Sequence, residues 1–255
     1  MRLATWNVNS IRARLERATA WLKLRDPDVV CLQELKTDEA SFPRDAFTAL
    51  GYHAHAVCQK TYNGVAILSK RPIVDATVGM LDDVDDPQAR LCAGTIDGVR
   101  VLCAYMPNGQ EVGSDKWRYK LAWMERLRRY LERHCDPAQP LALCGDFNVA
   151  PDERDVYNPT AWEKEPLYHP EARAGLRAIA DWGLVDSLRL HRQDAGIYSW
   201  WDYRMLAFPK NRGLRIDHIY LTKSLVPRCT GVTVDRDERK GQQPSDHAPV
   251  IAELS

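Results

Sequence analysis

The sequence predicts an α/β fold with two packed β-sheets. Three observations carry that expectation. Short apolar, β-branched runs alternate with stretches of helical periodicity, and strand candidates outnumber helix candidates. The 255 residues suffice for one large domain or two small ones, and no Gly/Ser-rich linker divides them, so one domain over residues 1–255 is expected. In chain order, residues 2–6 form the first strand candidate. Ile11, Leu15, Ala18 and Leu22 then lie on one stripe of a helix over 11–25, and Pro27 just beyond it acts as a stop. Apolar runs predict strands over 28–32, 52–58, 63–69, 91–96 and 99–105. A second helix over 115–134 carries Trp117, Leu121, Met124, Leu127 and Leu131 on one face, with Pro137 beyond its end. A strand over 140–144, a helix over 171–182 and strands over 216–221 and 249–254 complete the pattern.

Composition narrows the class. Hydrophobic residues make up 45% and charged residues 27%, which excludes a disordered or fibrous chain and suits a soluble globular one. No apolar run approaches the roughly 20 residues that span a bilayer. The N-terminus MRLATWNVNS lacks the apolar core of a signal peptide, so a cytoplasmic location is expected, nucleoid-associated if the source is bacterial. Lys plus Arg and Asp plus Glu both number 35, so a nucleic-acid partner would have to be held by local patches. The seven cysteines are odd in number and never fall at C-x-x-C spacing, which argues against a disulfide framework or a zinc site.

Apolar runs repeatedly end in residues capable of chemistry. TWNVN ends in Asn7 and Asn9, VVCLQE in Glu34, LCAYMPNG in Tyr105 and Asn108, and LALCGDFN in Asp146 and Asn148. LRIDH carries Asp217, and PSDH carries Asp246 and His247. Any one such ending reads as a turn residue after a strand. Six together suggest strand ends lining one crevice. Glu34, Asp146, Asp217 and Asp246 in one crevice would repel without a counter-charge. A divalent cation supplies it, and carboxylate and amide oxygens suit Mg²⁺ or Mn²⁺ rather than zinc. A neighbouring carboxylate, for which Asp217 is the candidate, would keep His247 protonated. The acidic run Asp82, Asp83, Asp85 and Asp86 reads instead as a solvated loop.

The ordered pieces WNVNSIRAR, LQELK, QKTYNGVAILSK, AYMPNGQ, GDFNVAP, SWWDYR, NRGLRIDHIYL and PSDHAPV run from residue 3 to residue 253. Together they resemble the endonuclease/exonuclease/phosphatase superfamily, and within it the exodeoxyribonuclease III branch of AP endonucleases. The resemblance implies a four-layer α/β sandwich: two packed mixed β-sheets flanked by helices. Tyr105 stands where other branches carry a second catalytic His. Carried over, the resemblance makes Glu34 the principal metal ligand, with Asn9 and Asp246 beside it, and Mg²⁺ the cofactor, replaceable by Mn²⁺. It makes Asp146 the residue that activates water and Asn7 the one that orients Asp146. Asn148 and Tyr105 would bind the scissile phosphate or leaving group, and His247, paired with Asp217, a non-bridging oxygen.

The same resemblance implies a pocket for a flipped, baseless sugar at Trp200, Leu214 and Ile216, because an abasic nucleotide has no base to unstack. DNA phosphates would meet Arg90, Lys210 and Arg212, with Asn108 near the scissile group and Arg12, Arg14, Lys60, Lys116 and Arg215 as further donors. Tyr62 and Gln110 sit in loops suited to a groove. The expected partner is double-stranded DNA with abasic or blocked 3′ ends, bound by a monomer with salt-sensitive affinity. The expected reaction is hydrolysis 5′ to an abasic site, with 3′→5′ exonuclease and 3′-phosphatase or phosphodiesterase activity beside it. The alternatives are an exonuclease-dominated enzyme and a non-catalytic DNA-binding paralogue. The second would have lost part of the set Glu34, Asp146, Asn148, Asp217 and His247, and none is missing.

Overall fold

The computed structural model describes residues 1–255. In chain order the elements are β1 (Arg2–Asn7), α1 (Leu15–Arg25), β2 (Val29–Gln33), α2 (Arg44–Thr48), β3 (His53–Val57), β4 (Val65–Ser69) and β5 (Val74–Val78). Next come β6 (Leu91–Ile96), β7 (Val99–Tyr105), α3 (Asp115–His134), β8 (Leu141–Asp146), α4 (Pro159–Trp162) and α5 (Pro170–Ala180). The chain closes with β9 (Leu184–Asp186), α6 (Ser187–His191), β10 (Asp217–Thr222), β11 (Cys229–Val234) and β12 (Val250–Leu254).

The strands form two six-stranded sheets, ordered β11-β12-β1-β2-β4-β3 and β5-β6-β7-β8-β10-β9. Each is mixed: β1 pairs parallel with β2, and β7 parallel with β8, while the other pairs are antiparallel. Alternation along each strand sorts its side chains into layers. Leu3, Val29, Cys31, Val101, Cys103, Ala142, Cys144 and Ile219 meet between the sheets. Ala4, Trp6, Val30 and Leu32 pack outward under α1 and Phe47 of α2. Leu102, Leu141, Leu143 and Tyr220 pack outward under α3 and α5. The expected two packed sheets flanked by helices are what the chain forms.

The predicted helix over 115–134 matches α3, whose Ser114 hydroxyl accepts from the Trp117 amide at 3.1 Å as an N-cap. The helix predicted over 11–25 starts four residues late, at Leu15. Asn9 and Ser10 take positive φ (45° and 83°) as the chain turns at the end of β1, and that turn delays the helix. Three strands were not foreseen: β5, β9 and β11. All three are sheet edges. Their pattern is set by one partner only; β5 leaves Val74 and Val78 about half exposed. The short helices α2, α4 and α6 were also missed, being too brief for a periodic signal. The acidic loop is only partly solvated. Arg126 of α3 binds Asp82 at 2.8 Å and Asp86 at 2.6 Å, which ties it down.

Arg215 was expected on the DNA surface and is instead fully buried. Its Nε donates to Asp155 at 2.6 Å, and its Nη2 to Asp186 at 2.7 Å. Its Nη1 donates to His218 Nδ1 at 2.9 Å, while His218 Nε2 donates to the Val149 carbonyl at 3.0 Å. Burial and the adjacent guanidinium push His218 down to about 4, so the ring is neutral. This network fastens the 153–155 turn and β9 to the approach of β10. Arg215→Ala would leave buried Asp155 with Arg189 as its one remaining guanidinium and would take from Asp186 its own. The expected cost is about 3–5 kcal/mol. Urea unfolding with an unchanged midpoint would show that the network does not hold the fold.

Candidate active site

Period-two alternation places the site. Asn7 on β1, Tyr105 on β7, Asp146 on β8 and Asp217 on β10 continue the inward-facing series of their strands. They fall at the same end of the inter-sheet core, where Asp146 pairs in register with both Tyr105 and Asp217. Gly145 allows that register. A Cβ there would lie 1.8 Å from the Ala104 carbonyl oxygen, and its φ of 155° disfavours any other residue. The inter-sheet layer is thus apolar along its length and polar at this one end.

At this end of the core one amide bridges carboxylates brought by the two sheets. Asn7 Nδ2 donates to Glu34 Oε1 at 2.8 Å and to Asp146 Oδ2 at 2.9 Å. The Tyr105 hydroxyl donates to the same Glu34 oxygen at 2.9 Å. Asn148 donates from its backbone to Asp146 Oδ1 at 2.9 Å and from Nδ2 to Oδ2 at 3.2 Å. Asn9, Glu34 and Asn148 all hold positive φ (45°, 55° and 48°), a conformation that side chains other than glycine adopt at a cost.

His247 is buried against two carboxylates. Its Nδ1 donates to Asp217 Oδ2 at 2.8 Å, and its Nε2 lies 3.8 Å from Asp146 Oδ2. Burial opposes a charge on the ring, but the Asp217 and Asp146 carboxylates outweigh it and raise the His247 pKa well above the imidazole range. The ring is therefore an imidazolium at neutral pH. Burial pushes Asp146 up, against the pull of that imidazolium and the Asn7 hydrogen bond. Glu34 is held low: burial is outweighed by Lys36 and the Asn7 amide.

Two members of the site were not singled out from the sequence. Lys36 Nζ lies 2.7 Å from Glu34 Oε2 and 2.7 Å from Asn9 Oδ1. It stands two residues after Glu34 inside LQELK, and that spacing was the available signal. The Ser199 hydroxyl donates to Asp217 Oδ2 at 2.6 Å and accepts from the Asp217 backbone amide at 3.0 Å. It fixes the carboxylate that orients His247, and it directly precedes the Trp200 that drew attention.

The donor set suits a hard divalent cation. Glu34, Asp146 and His247 bring ligand atoms within 4.8 Å of one another. Four acidic side chains (Glu34, Asp146, Asp217 and Asp246), of which burial pushes Asp146 up, face two bases, Lys36 and His247, so acidic groups outnumber basic ones. Glu34 Oε2 and Asn9 Oδ1 already converge on an ammonium. Asp246 stands at the edge of this set, accepting from Asn9 Nδ2 at 3.0 Å and from the Trp200 indole at 3.0 Å.

The expected substrate contacts divide. Arg90 and Asn108 line a cleft of about 540 Å³ beside Tyr105, together with Tyr62, Gln110 and Lys116. The Arg90 guanidinium lies 4.7 Å from the Tyr105 ring centroid. Lys210 and Arg212 are exposed on the loop after Trp201, with no link to the catalytic cluster. Leu214 and Ile216 do not line an open pocket. They are 0% and 1% exposed, packed with Ala150, Val156, Leu167 and Tyr168. Trp200 is partly exposed, edge-on to Trp162 at 6.2 Å. Trp162 packs against the same cluster, so segments distant in the chain meet Leu214 and Ile216 just before β10.

Two mixed sheets with acidic and amide groups gathered at one end of their shared core define a phosphodiesterase-type α/β sandwich. The model of the endonuclease/exonuclease/phosphatase family matches residues 4–247, and the chain belongs to that family. It is 34% identical to exodeoxyribonuclease III of Haemophilus influenzae, with all of both chains covered. Among solved structures it is similar to an AP endonuclease from Archaeoglobus fulgidus (TM-score 0.97, 37% identity, 100% and 99% of the two chains). It is also similar to the 3′ phosphatase NExo from Neisseria bound to a product DNA hairpin (TM-score 0.94, 41% identity, 100% and 99%). Within the family it falls in the exodeoxyribonuclease III and AP endonuclease branch.

The titrations set a pH profile. With the roles that the resemblance implies, Asp146 ionised and His247 protonated, kcat/KM is expected to rise through an acid limb above the ordinary Asp range and fall at an alkaline limb above the ordinary His range. Asp217→Asn removes the carboxylate that raises His247, and the alkaline limb moves toward neutral pH. An alkaline limb unmoved in that variant would detach it from His247.

Proposed function

We propose that this protein is a metal-dependent DNA repair nuclease that hydrolyses the phosphodiester 5′ to abasic sites in duplex DNA. It leaves a 3′-hydroxyl and a 5′-deoxyribose phosphate, and it also processes 3′ ends as an exonuclease and phosphatase. The observation that carries this reading is the convergence of Glu34, Asp146 and His247. We assign Mg²⁺, replaceable by Mn²⁺, to Glu34, with Asn9 and Asp246 around it. The ion supplies charge neutralisation at the phosphoryl oxygens when bound.

Asp146 accepts the proton of the attacking water, and Asn7 keeps its carboxylate aimed. The His247 imidazolium donates to a non-bridging oxygen as negative charge develops there. Asn148 and Tyr105 hydrogen-bond the phosphate and the departing 3′-oxygen. To do so Tyr105 releases Glu34 and Asn148 releases Asp146 or the Met106 carbonyl, a short change of partner between groups already held in place. We take the protein to act as a cytoplasmic monomer, on DNA with abasic or blocked 3′ ends. No helix is long and apolar enough to cross a membrane.

A second reading has its own support. Leu214 and Ile216 are closed over by Leu167 and Tyr168, whereas the cleft at Arg90 and Asn108 is open. That arrangement favours 3′-end processing over internal incision. One experiment separates the two. A duplex with a tetrahydrofuran abasic analogue, which cannot undergo β-elimination, is incubated beside a 3′-phosphate duplex in Mg²⁺ and in EDTA. A Mg²⁺-dependent nick 5′ to the analogue supports the first reading, and 3′-end removal without that nick supports the second. Asp146→Ala is expected to lower either activity by about 10²–10⁴-fold. Folded wild-type protein that cuts neither substrate would overturn both.

A further inference from the structure

The apolar stripe of α3 is interrupted by a lysine that the sequence pattern gives no reason to bury. Lys120 is 0% exposed, between Trp117 and Trp123 on the face turned to the second sheet. No carboxylate lies within ion-pairing distance of its ammonium. Nζ instead donates to three backbone carbonyls: Asn108 at 3.0 Å, Asn148 at 2.7 Å and Pro166 at 3.0 Å. An ammonium has three protons, and all three are used. Burial pushes the group down to about 7, while three carbonyl acceptors favour the protonated form, which alone can donate to all of them.

Each carbonyl belongs to a different loop at the mouth of the site. Asn108 lies between β7 and α3, Asn148 follows β8, and Pro166 precedes α5. The first two loops touch again through their side chains, where Asn108 Nδ2 donates to Asn148 Oδ1 at 3.1 Å. Asn148 Nδ2 divides its protons between the Met106 carbonyl at 2.9 Å and Asp146 Oδ2 at 3.2 Å. Gly109 closes over the lysine stem, and a Cβ there would lie 2.9 Å from Lys120 Cδ. Pro166 leads into Leu167 and Tyr168, which pack on Ile216.

We propose that Lys120 is a positioning residue for phosphodiester hydrolysis: its ammonium, from beneath the three loops, fixes the Asn108–Asn148 amide pair against Asp146. This rests on the nuclease reading above. Lys120 touches no substrate and acts through Asn148. A neutral side chain leaves three carbonyls without a donor, so the loops re-sort and the amide of Asn148 loses its aim. Arg keeps the charge, but its planar fork does not direct three protons from one atom.

The test is a double-mutant cycle with Lys120→Met, Lys120→Arg and Asn148→Ala, each single and in the two combinations, on the DNA substrate that wild type cleaves. Lys120→Met is expected to lower kcat by roughly 10²-fold, the scale of a displaced catalytic group, with KM for DNA within about threefold. On the Asn148→Ala background the same change should cost little further, because residues acting in one chain are not additive. Lys120→Arg, which keeps the protein charged and folded should the Met variant precipitate, is expected to lose kcat as well. Wild-type kcat in folded Lys120→Arg, or full additivity with Asn148→Ala, would overturn the proposal. Thermal unfolding of every variant separates a lost fold from a lost aim. Absence of cleavage by wild type itself would reject the nuclease reading instead.

Discussion

One amide nitrogen holds two carboxylates that repel each other. Asn7 Nδ2 reaches Glu34 from its own sheet and Asp146 from the opposite one, and it does so at 0% exposure. Charge buried in a medium of low polarity is costly unless it is hydrogen-bonded and balanced. Asn7 supplies the hydrogen bonds, and His247 and Lys36 supply part of the balance. The spacing of the two sheets, the register of β8 and the left-handed turns after β1 and β2 all serve this contact. A sheet separation set by larger residues at Cys31, Cys103 and Cys144 would place Asp146 beyond its reach.

The polar end is a continuation of the apolar core. The strands that bury Val101 and Cys103, or Ala142 and Cys144, carry Tyr105 or Asp146 as their next inward residue. Asn7, Tyr105, Asp146 and Asp217 therefore inherit the rigidity of packed sheets, while Glu34, Asn148 and His247 stand just outside strands. Burial works against a charge on His247, and the carboxylates of Asp217 and Asp146, facing it where water does not screen them, outweigh that cost and keep its proton on. Ser199 adds the last constraint, by turning Asp217 so that one oxygen serves both the hydroxyl and the imidazolium.

Around this rigid centre, the surface offers two unlike environments. On the side of Tyr105 lies an open cleft with Arg90, Lys116 and several amides. On the side of Trp200 the apolar residues are packed shut against Leu167 and Tyr168. The loops that separate the two are the ones joined at Lys120, so the boundary between open and closed is set beneath the surface.

The sequence by itself determined the layered α/β class, the long helix α3 and the inward-facing polar residues at strand ends. These follow from local periodicity, and alternation along a strand is visible in one dimension. It did not determine the edge strands β5, β9 and β11, whose state depends on a single neighbour. It named Asn7, Glu34, Tyr105, Asp146, Asp217 and His247, and through the resemblance the pairs Asn7–Asp146 and Asp217–His247, but not that Asn7 and Tyr105 both donate to Glu34. Lys36, Ser199 and Lys120 escaped because a cation or hydroxyl near an apolar run has no pattern until its partners arrive. Arg215 was misplaced for the same reason: its partners Asp155 and Asp186 lie 60 and 29 residues away in the chain. Tertiary structure alone decided those pairings, since the energy of a buried charge depends on the groups brought to it through space.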